Sequence, residues 1–327
     1  MKIGNININT PVALAPMAGV SDKPFRALCK EMGCGYTVTE MVSSRALVYQ
    51  DKKSLKLLAL SEGEQPCAVQ IFGNDPAVMA EAAVHAKEIS GADVIDINMG
   101  CPAPKIVNNG DGSALMKTPA LAEQVTKAVV KAVPMVTVKI RLGWDKGSIN
   151  CVEFAKMLEA AGAAAITVHG RTRSMQYSGV ADHVTIGEVK RAVSVPVICN
   201  GDISDVVTAR RALEQSGADG IMVGRAAFGN PWIFAQLKAA QLFDRTVCRQ
   251  DETPASLPSM SELLAVVTRH FEMALAHHGE RVGMLEMRKH FAWYLHGRPR
   301  MQEYKRQMQS MNAPDDFYEI VERLRRE

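Results

Sequence analysis

No apolar run in the chain approaches the roughly 18 residues that a membrane-crossing helix requires, so spanning helices are excluded. Met1 to Thr10 has no charged-then-apolar signal pattern, and a cytoplasmic location is the expectation. The cysteines, at 29, 34, 67, 101, 151, 199 and 248, are odd in number and lack paired metal-ligand spacing. That argues against a disulfide framework and against a zinc site, and leaves reduced thiols. No G-x-G-x-x-G follows the first apolar segment, which argues against an open dinucleotide-binding sheet. Charge of one sign is also scarce, at a net +3. Yet Arg281 to Arg306 holds seven Lys/Arg against two acidic residues, so the rest of the chain is slightly acidic.

What is present is a length of 327 residues with 47% apolar side chains, enough for one large domain and a small one. A repeated pattern fills the first part. Helical stretches close in Gly33-Cys34-Gly35, Gly91-Ala92, Gly162-Ala163 or Gly217-Ala218, and a short apolar strand follows each; other strands begin after Pro66, Pro134 and Pro196, and Val12 to Ala15 supplies the first. Helix starts are marked by Asp75-Pro76, Thr118-Pro119 and Asn150 with Glu153. Eight strands alternating with helices predict an α/β fold of the (β/α)₈ TIM-barrel type over residues 1–242. Residues 243–258, polar with Pro254 and Pro258, read as a linker. Residues 259–327 predict a small all-helical domain of three or four amphipathic helices.

In such a barrel the site is built where the strands end, so polar residues there are the candidates. Val94 to Asn98 is a strand whose exit through Met99-Gly100-Cys101-Pro102 leaves the Cys101 thiol above the barrel, although a packing role for Cys101 stays open. Gln70 and Asn98 end their strands. Lys139 and Arg141, two apart, share one face of an apolar strand and point to an anionic ligand or, alternatively, to a salt bridge. His169 ends the next strand with Arg171 beside it; alone it would read as a core histidine. Asn200-Gly201-Asp202 and Gly224-Arg225 each put a glycine just past a strand, where backbone can approach a phosphate. Ala15-Pro16-Met17 is small and apolar and suits a flat ring. Phosphate at one end, an apolar platform at the other, and donors from Gln70 and Lys139 between them describe a pocket for flavin mononucleotide (FMN).

With these residues the chain resembles the tRNA-dihydrouridine synthase family, its bacterial B-type subgroup most closely. The resemblance is carried by APMAG at Ala15 to Gly19, DINMGCP at Asp96 to Pro102, VKIRLGW at Val138 to Trp144, HGRTR at His169 to Arg173, NGDI at Asn200 to Ile203, GRAA at Gly224 to Ala227 and RKHFAWYL at Arg288 to Leu295. Asp111 and Ser174-Met175 depart from the family pattern. The resemblance implies reduction of uridine to 5,6-dihydrouridine in the D-loop of tRNA. Hydride would pass from N5 of reduced FMN to C6 of the base, Cys101 would give a proton to C5, and NADPH or NADH would re-reduce the flavin. Ala15, Pro16, Met17, Gln70, Lys139, His169, Asn200, Gly201, Asp202, Gly224 and Arg225 would hold the cofactor, and Asn98, Arg141 and Arg171 the target nucleotide or flavin.

A uridine inside folded tRNA must be turned out of its stack, which requires a grip elsewhere. Arg288, Lys289, Arg298 and Arg300 belong to the basic segment and read as phosphate contacts. Phe291, Trp293 and Leu295 among them read as the core of the helical domain. Two rival readings are an FMN-dependent barrel acting on a small pyrimidine-like molecule and an RNA-binding protein without catalysis. No obligate protein partner, membrane or metal is expected.

Overall fold

The computed structural model describes residues 1–244 and 257–326. Eight parallel strands form the barrel: β1 (Val12–Leu14), β2 (Tyr36–Val38), β3 (Cys67–Phe72), β4 (Val94–Met99), β5 (Val136–Arg141), β6 (Ala165–His169), β7 (Val197–Asn200) and β8 (Gly220–Val223). Each pairs with the next, and β8 pairs with β1, so the sheet closes. Closure removes sheet edges, and the helices between the strands cover the outside.

Local chemistry explains the boundaries. The helix Pro76–Ser90 starts where the Asp75 carboxylate accepts from the Ala77 and Val78 amides, and stops at Gly91, whose φ of +67° is left-handed. The chain then enters β4 within three residues.

Register decides what faces inward. Gln70 lies opposite Asp96 and Asp96 opposite Thr137; Asn98 lies opposite Lys139; Arg141, His169 and Asn200 stand level on three successive strands. Residues level on neighbouring strands share a face, so a polar set projects into the upper barrel. Below it the interior is apolar, with Tyr36, Ala68, Val94 and Ile198 packed together. That lower end is capped by a hairpin, Lys2–Ile3 with Ile6–Asn7, which carries Ile3 and Ile8 into the same cluster. A further short strand, Val42–Ser43, pairs with the end of β3. Neither element has a sequence pattern long enough to announce it.

The C-terminal domain has four helices, Met260–His278, Glu280–Tyr294, Gln302–Ser310 and Pro314–Arg326. Its core of leucine, methionine and phenylalanine includes an aromatic cluster, with Phe271 4.1 Å from Phe317 and Phe317 5.2 Å from Phe291 between ring centres. Phe291 and Leu295 are buried, while Trp293 stacks on Phe228 of the barrel at 4.4 Å. His278 meets Asp22 at 2.8 Å and Arg269 meets Glu31, which ties the domain to the barrel's first helix, Lys23–Glu31. Of the linker expected at 243–258, residues 245–256 lie outside the described residues. Among the described residues no helix is long and apolar enough to cross a membrane.

Candidate active site

A cavity of about 890 Å³ opens at the carboxyl ends of the strands. Its walls come from every part of the barrel. Ala15, Pro16 and Met17 follow β1; Gln70 comes from β3, Asn98 and Cys101 from β4 and its loop; Lys139 and Arg141 project from β5 and His169 from β6. Asn200, Gly201 and Asp202 follow β7, and Gly224 and Arg225 follow β8. Closure of the sheet brings these distant segments together.

The thiol of Cys101 is half-buried on this wall, and its loop is held from both sides. Asn98 Oδ1 accepts the Gly100 amide at 3.1 Å and the Cys101 amide at 2.9 Å. The Cys101 carbonyl accepts from the Ser113 amide at 3.1 Å and its hydroxyl at 2.8 Å. Burial pushes the Cys101 pKa up, with Arg141 and Lys139 opposing more weakly, so the thiol keeps its proton at neutral pH. Asn98 lines the cavity, but its amide is spent on this loop, on Gln70 Oε1 at 2.8 Å and on the Met41 sulfur at 3.5 Å.

Lys139 Nζ donates to Asn200 Oδ1 at 2.9 Å, and Asn200 Nδ2 donates to the Met222 carbonyl at 2.8 Å, which fixes the amide's orientation. Burial, then the Arg141 charge, pull the Lys139 pKa down to about 7. Among the described residues neither cation forms a salt bridge: Arg141 donates to the carbonyls of Gly100, Thr172 and Gln176 at 2.8, 2.9 and 2.9 Å. Arg141 thereby joins the Cys101 loop to the loop after β6. Burial, followed by Lys139, Arg141, Arg171 and Arg225, depresses the His169 pKa strongly, so its ring is neutral, and its buried Nδ1 has no partner among the described residues. A neutral ring nitrogen beside so many cations suits a polar ligand of negative charge.

Arg171 is placed behind the cavity wall. Its guanidinium, 2% exposed, clasps both oxygens of Asp202 at 2.8 and 2.7 Å and donates to the Ser178 and Gly179 carbonyls. Asp202 also accepts the Ala181 amide at 2.8 Å and Arg225 at 3.4 Å. One carboxylate thus binds the loops after β6, β7 and β8. The turn is tight: Gly201 has φ of +122°, and a Cβ there would lie 2.8 Å from that of Ala181. At Gly224 a Cβ would just touch Ala15 Cβ and Met17 Sδ, both at 3.9 Å, so this backbone lies against the apolar wall formed after β1.

Tyr177 was not anticipated from the sequence; its ring is 57% exposed at the cavity mouth, 5.1 Å from the Arg225 guanidinium and 6.0 Å from that of Arg141. An aromatic in a Ser- and Gly-bearing loop after a strand was the available signal. The four candidate cations of the helical domain, Arg288, Lys289, Arg298 and Arg300, do not line the cavity. Arg288 donates to the Met311 carbonyl at 3.1 Å, Arg298 to that of Pro258 at 2.5 Å, and Lys289 pairs with Glu286. Arg300 is exposed. Lys289 Nζ would lie 3.8 Å from a Cβ built at Gly19, which brings the helical domain to the rim formed after β1.

A closed parallel barrel with a cation-rich cavity and a protonated thiol above its strands defines a barrel enzyme. The sequence model of the family described as dihydrouridine synthase matches residues 13–327. The chain is 46% identical over 316 residues to "Probable tRNA-dihydrouridine synthase" of Rickettsia conorii, covering 96% of this chain and 93% of that one. It is 42% identical over 317 residues to tRNA-dihydrouridine synthase B of Pseudomonas aeruginosa, covering 96% and 92%. The chain therefore belongs to the dihydrouridine synthase family and is an oxidoreductase. A solved structure of 2-naphthoyl-CoA reductase shares the barrel fold, with a TM-score of 0.58 and 12% identity over 74% of this chain and 52% of that one.

Proposed function

We propose that this chain reduces uridine to 5,6-dihydrouridine in the D-loop of tRNA, with FMN as cofactor and NADPH or NADH as the source of electrons. Family membership supports the reaction class and a flavin, and the observation that carries the mechanism is the half-buried, protonated Cys101 thiol beside Lys139 and Arg141. The cavity fits FMN on its own chemistry. It has a small apolar wall at Ala15 to Met17, an orphaned His169 Nδ1, and a side-chain-free backbone at Gly224 beside Arg225. Gln70, Lys139 and Asn200 would hydrogen-bond the ring, while Gly201, Asp202, Gly224, Arg225 and His169 would form the phosphate end.

When bound, the flavin supplies the hydride that adds to C6 of the uracil. Cys101 Sγ then gives its proton to C5, where the electron pair of the broken C5–C6 double bond resides, and water restores the thiol. A thiol whose pKa is raised holds the proton until that pair develops. Lys139 would meet negative charge arising in the site, which favours its protonated form despite burial. Arg141, level with His169, and the Tyr177 ring would orient the base. Exposed Arg300, with Arg288, Lys289 and Arg298, would contact the phosphates of a cytoplasmic tRNA.

The rival reading, an FMN enzyme for a small pyrimidine, leaves the basic helical domain without use. Purified protein should be yellow, release FMN on denaturation, and form dihydrouridine in tRNA lacking it when given NADPH. Turnover on free uracil or uridine but not on tRNA would establish the small-molecule reading instead. Colourless protein that still binds tRNA would establish an RNA-binding protein without catalysis.

A further inference from the structure

We propose that Asp96 is a positioning residue: its carboxylate, deep in the barrel, orders the backbone that presents Cys101 through the amides of Gln70 and Asn98 in series. Its catalytic meaning rests on Cys101 as proton donor, but the hydrogen-bond relay stands without that role.

Asp96 is 4% exposed and forms no ion pair among the described residues, so a carboxylate here needs a reason. Two groups satisfy it: Gln70 Nε2 donates to Oδ2 at 2.7 Å, and Thr137 Oγ1 donates to Oδ1 at 2.6 Å. Gln70 Oε1 accepts from Asn98 Nδ2 at 2.8 Å, and Asn98 Oδ1 accepts from the Gly100 and Cys101 amides. The register that sets Gln70 opposite Asp96 aligns the first link, and the strand's two-residue repeat sets Asp96 and Asn98 on one face.

Both ends impose the same polarity. Backbone N–H groups only donate, so Asn98 must turn its oxygen to the loop and its Nδ2 to Gln70. Gln70 must then turn its oxygen up and its Nε2 down, which requires an acceptor at position 96. Without one, Gln70 Nε2 is buried unpaired, and the amide is driven to rotate away from Asn98. The loop then loses its support from below.

Hydrogen exchange by mass spectrometry, on peptides spanning residues 98–104 of the purified protein, tests this. Asp96→Leu removes the acceptor and should speed exchange of the Gly100 and Cys101 amides by about tenfold, with a comparable loss of dihydrouridine formation on tRNA. Asp96→Asn, which can still offer an oxygen to Gln70, should restore most of both. Thr137→Val removes the other hydrogen bond to Asp96 without cutting the relay and should leave exchange within about twofold of wild type. If Asp96→Leu does not fold, Gln70→Met breaks the middle link and carries the same expectation. Unchanged exchange in the folded relay-breaking variant, or an equal rise in Thr137→Val, would overturn the proposal. Because exchange is read without tRNA turnover, a wrong substrate assignment would leave the exchange result intact.

Discussion

Gly229→Ala would drive a wedge between the two domains. Gly229 lies in the turn after β8 at φ +62°, and a Cβ there would fall 2.3, 2.5 and 2.6 Å from Trp293 C, Tyr294 N and Trp293 O in the helix Glu280–Tyr294. Ordinary contact begins at 3.4 Å, so two backbones must part by about 1 Å. The left-handed backbone alone costs a non-glycine residue about 1–2 kcal/mol. Parting also loosens the Phe228–Trp293 stack at 4.4 Å, an aromatic pair of the kind that contributes roughly 0.5–1.5 kcal/mol, of which about half is forfeited by a gap of this size. The sum is about 1.3–2.8 kcal/mol, and at about 2 °C per kcal/mol for a chain of this length the melting temperature should fall by about 3–6 °C. Thermal unfolding at fixed flavin concentration reads this directly. Turnover on tRNA should fall with it, since Lys289 and its neighbours would leave the rim near Gly19. A melting temperature unchanged within about 1 °C would refute the tight docking of helix on turn.

Lys139 gives a pH signature. Its folded-state pKa of about 7 lies below the value of about 10.4 for an unfolded lysine, so between those limits the unfolded chain binds the extra proton and stability rises with pH. Below about 7 both states are protonated and the burial cost stands in full. Denaturant titrations of flavin-free protein should therefore show a rise of at most about 1.4 kcal/mol per pH unit above 7 that Lys139→Met abolishes; an equal slope in the variant would contradict it. Replacing Arg298 and Arg300 together by alanine should weaken tRNA binding and flatten its salt dependence by about 1 in log-log slope for each phosphate no longer held. Salt-titrated binding checks this, and unaltered affinity would reduce these cations to surface charge.

The strands were legible because each is short, apolar and bounded by a helix-closing glycine or a proline, signals confined to a few neighbouring residues. The residues above the strand ends were legible for the same reason: position in the repeat places Lys139, His169 and Asn200 before any contact is known. What the chain did not disclose locally depends on register and closure. Whether Arg171 faces the cavity or Asp202 is decided by a partner 31 residues away, and the clasp at 2.7 Å holds it behind the cavity wall. That the Asn98 amide also holds the Cys101 loop depends on contacts no local pattern displays. The hairpin Lys2–Asn7 has two residues in each strand, too few for any periodic pattern. Gly229 reads as an ordinary turn glycine, and only the helix lying against it, more than 60 positions on, shows why a side chain cannot be accommodated.

The central claim is that Cys101 donates the proton, and replacing it alone tests this most directly. Purified Cys101→Ala should bind FMN and be reduced by NADPH as the unsubstituted protein is, while dihydrouridine formation in tRNA under single turnover falls by about 10²–10⁴-fold, the range of general acid catalysis. Dihydrouridine formation within about twofold of the unsubstituted protein would contradict the account and return the thiol of Cys101 to a packing role.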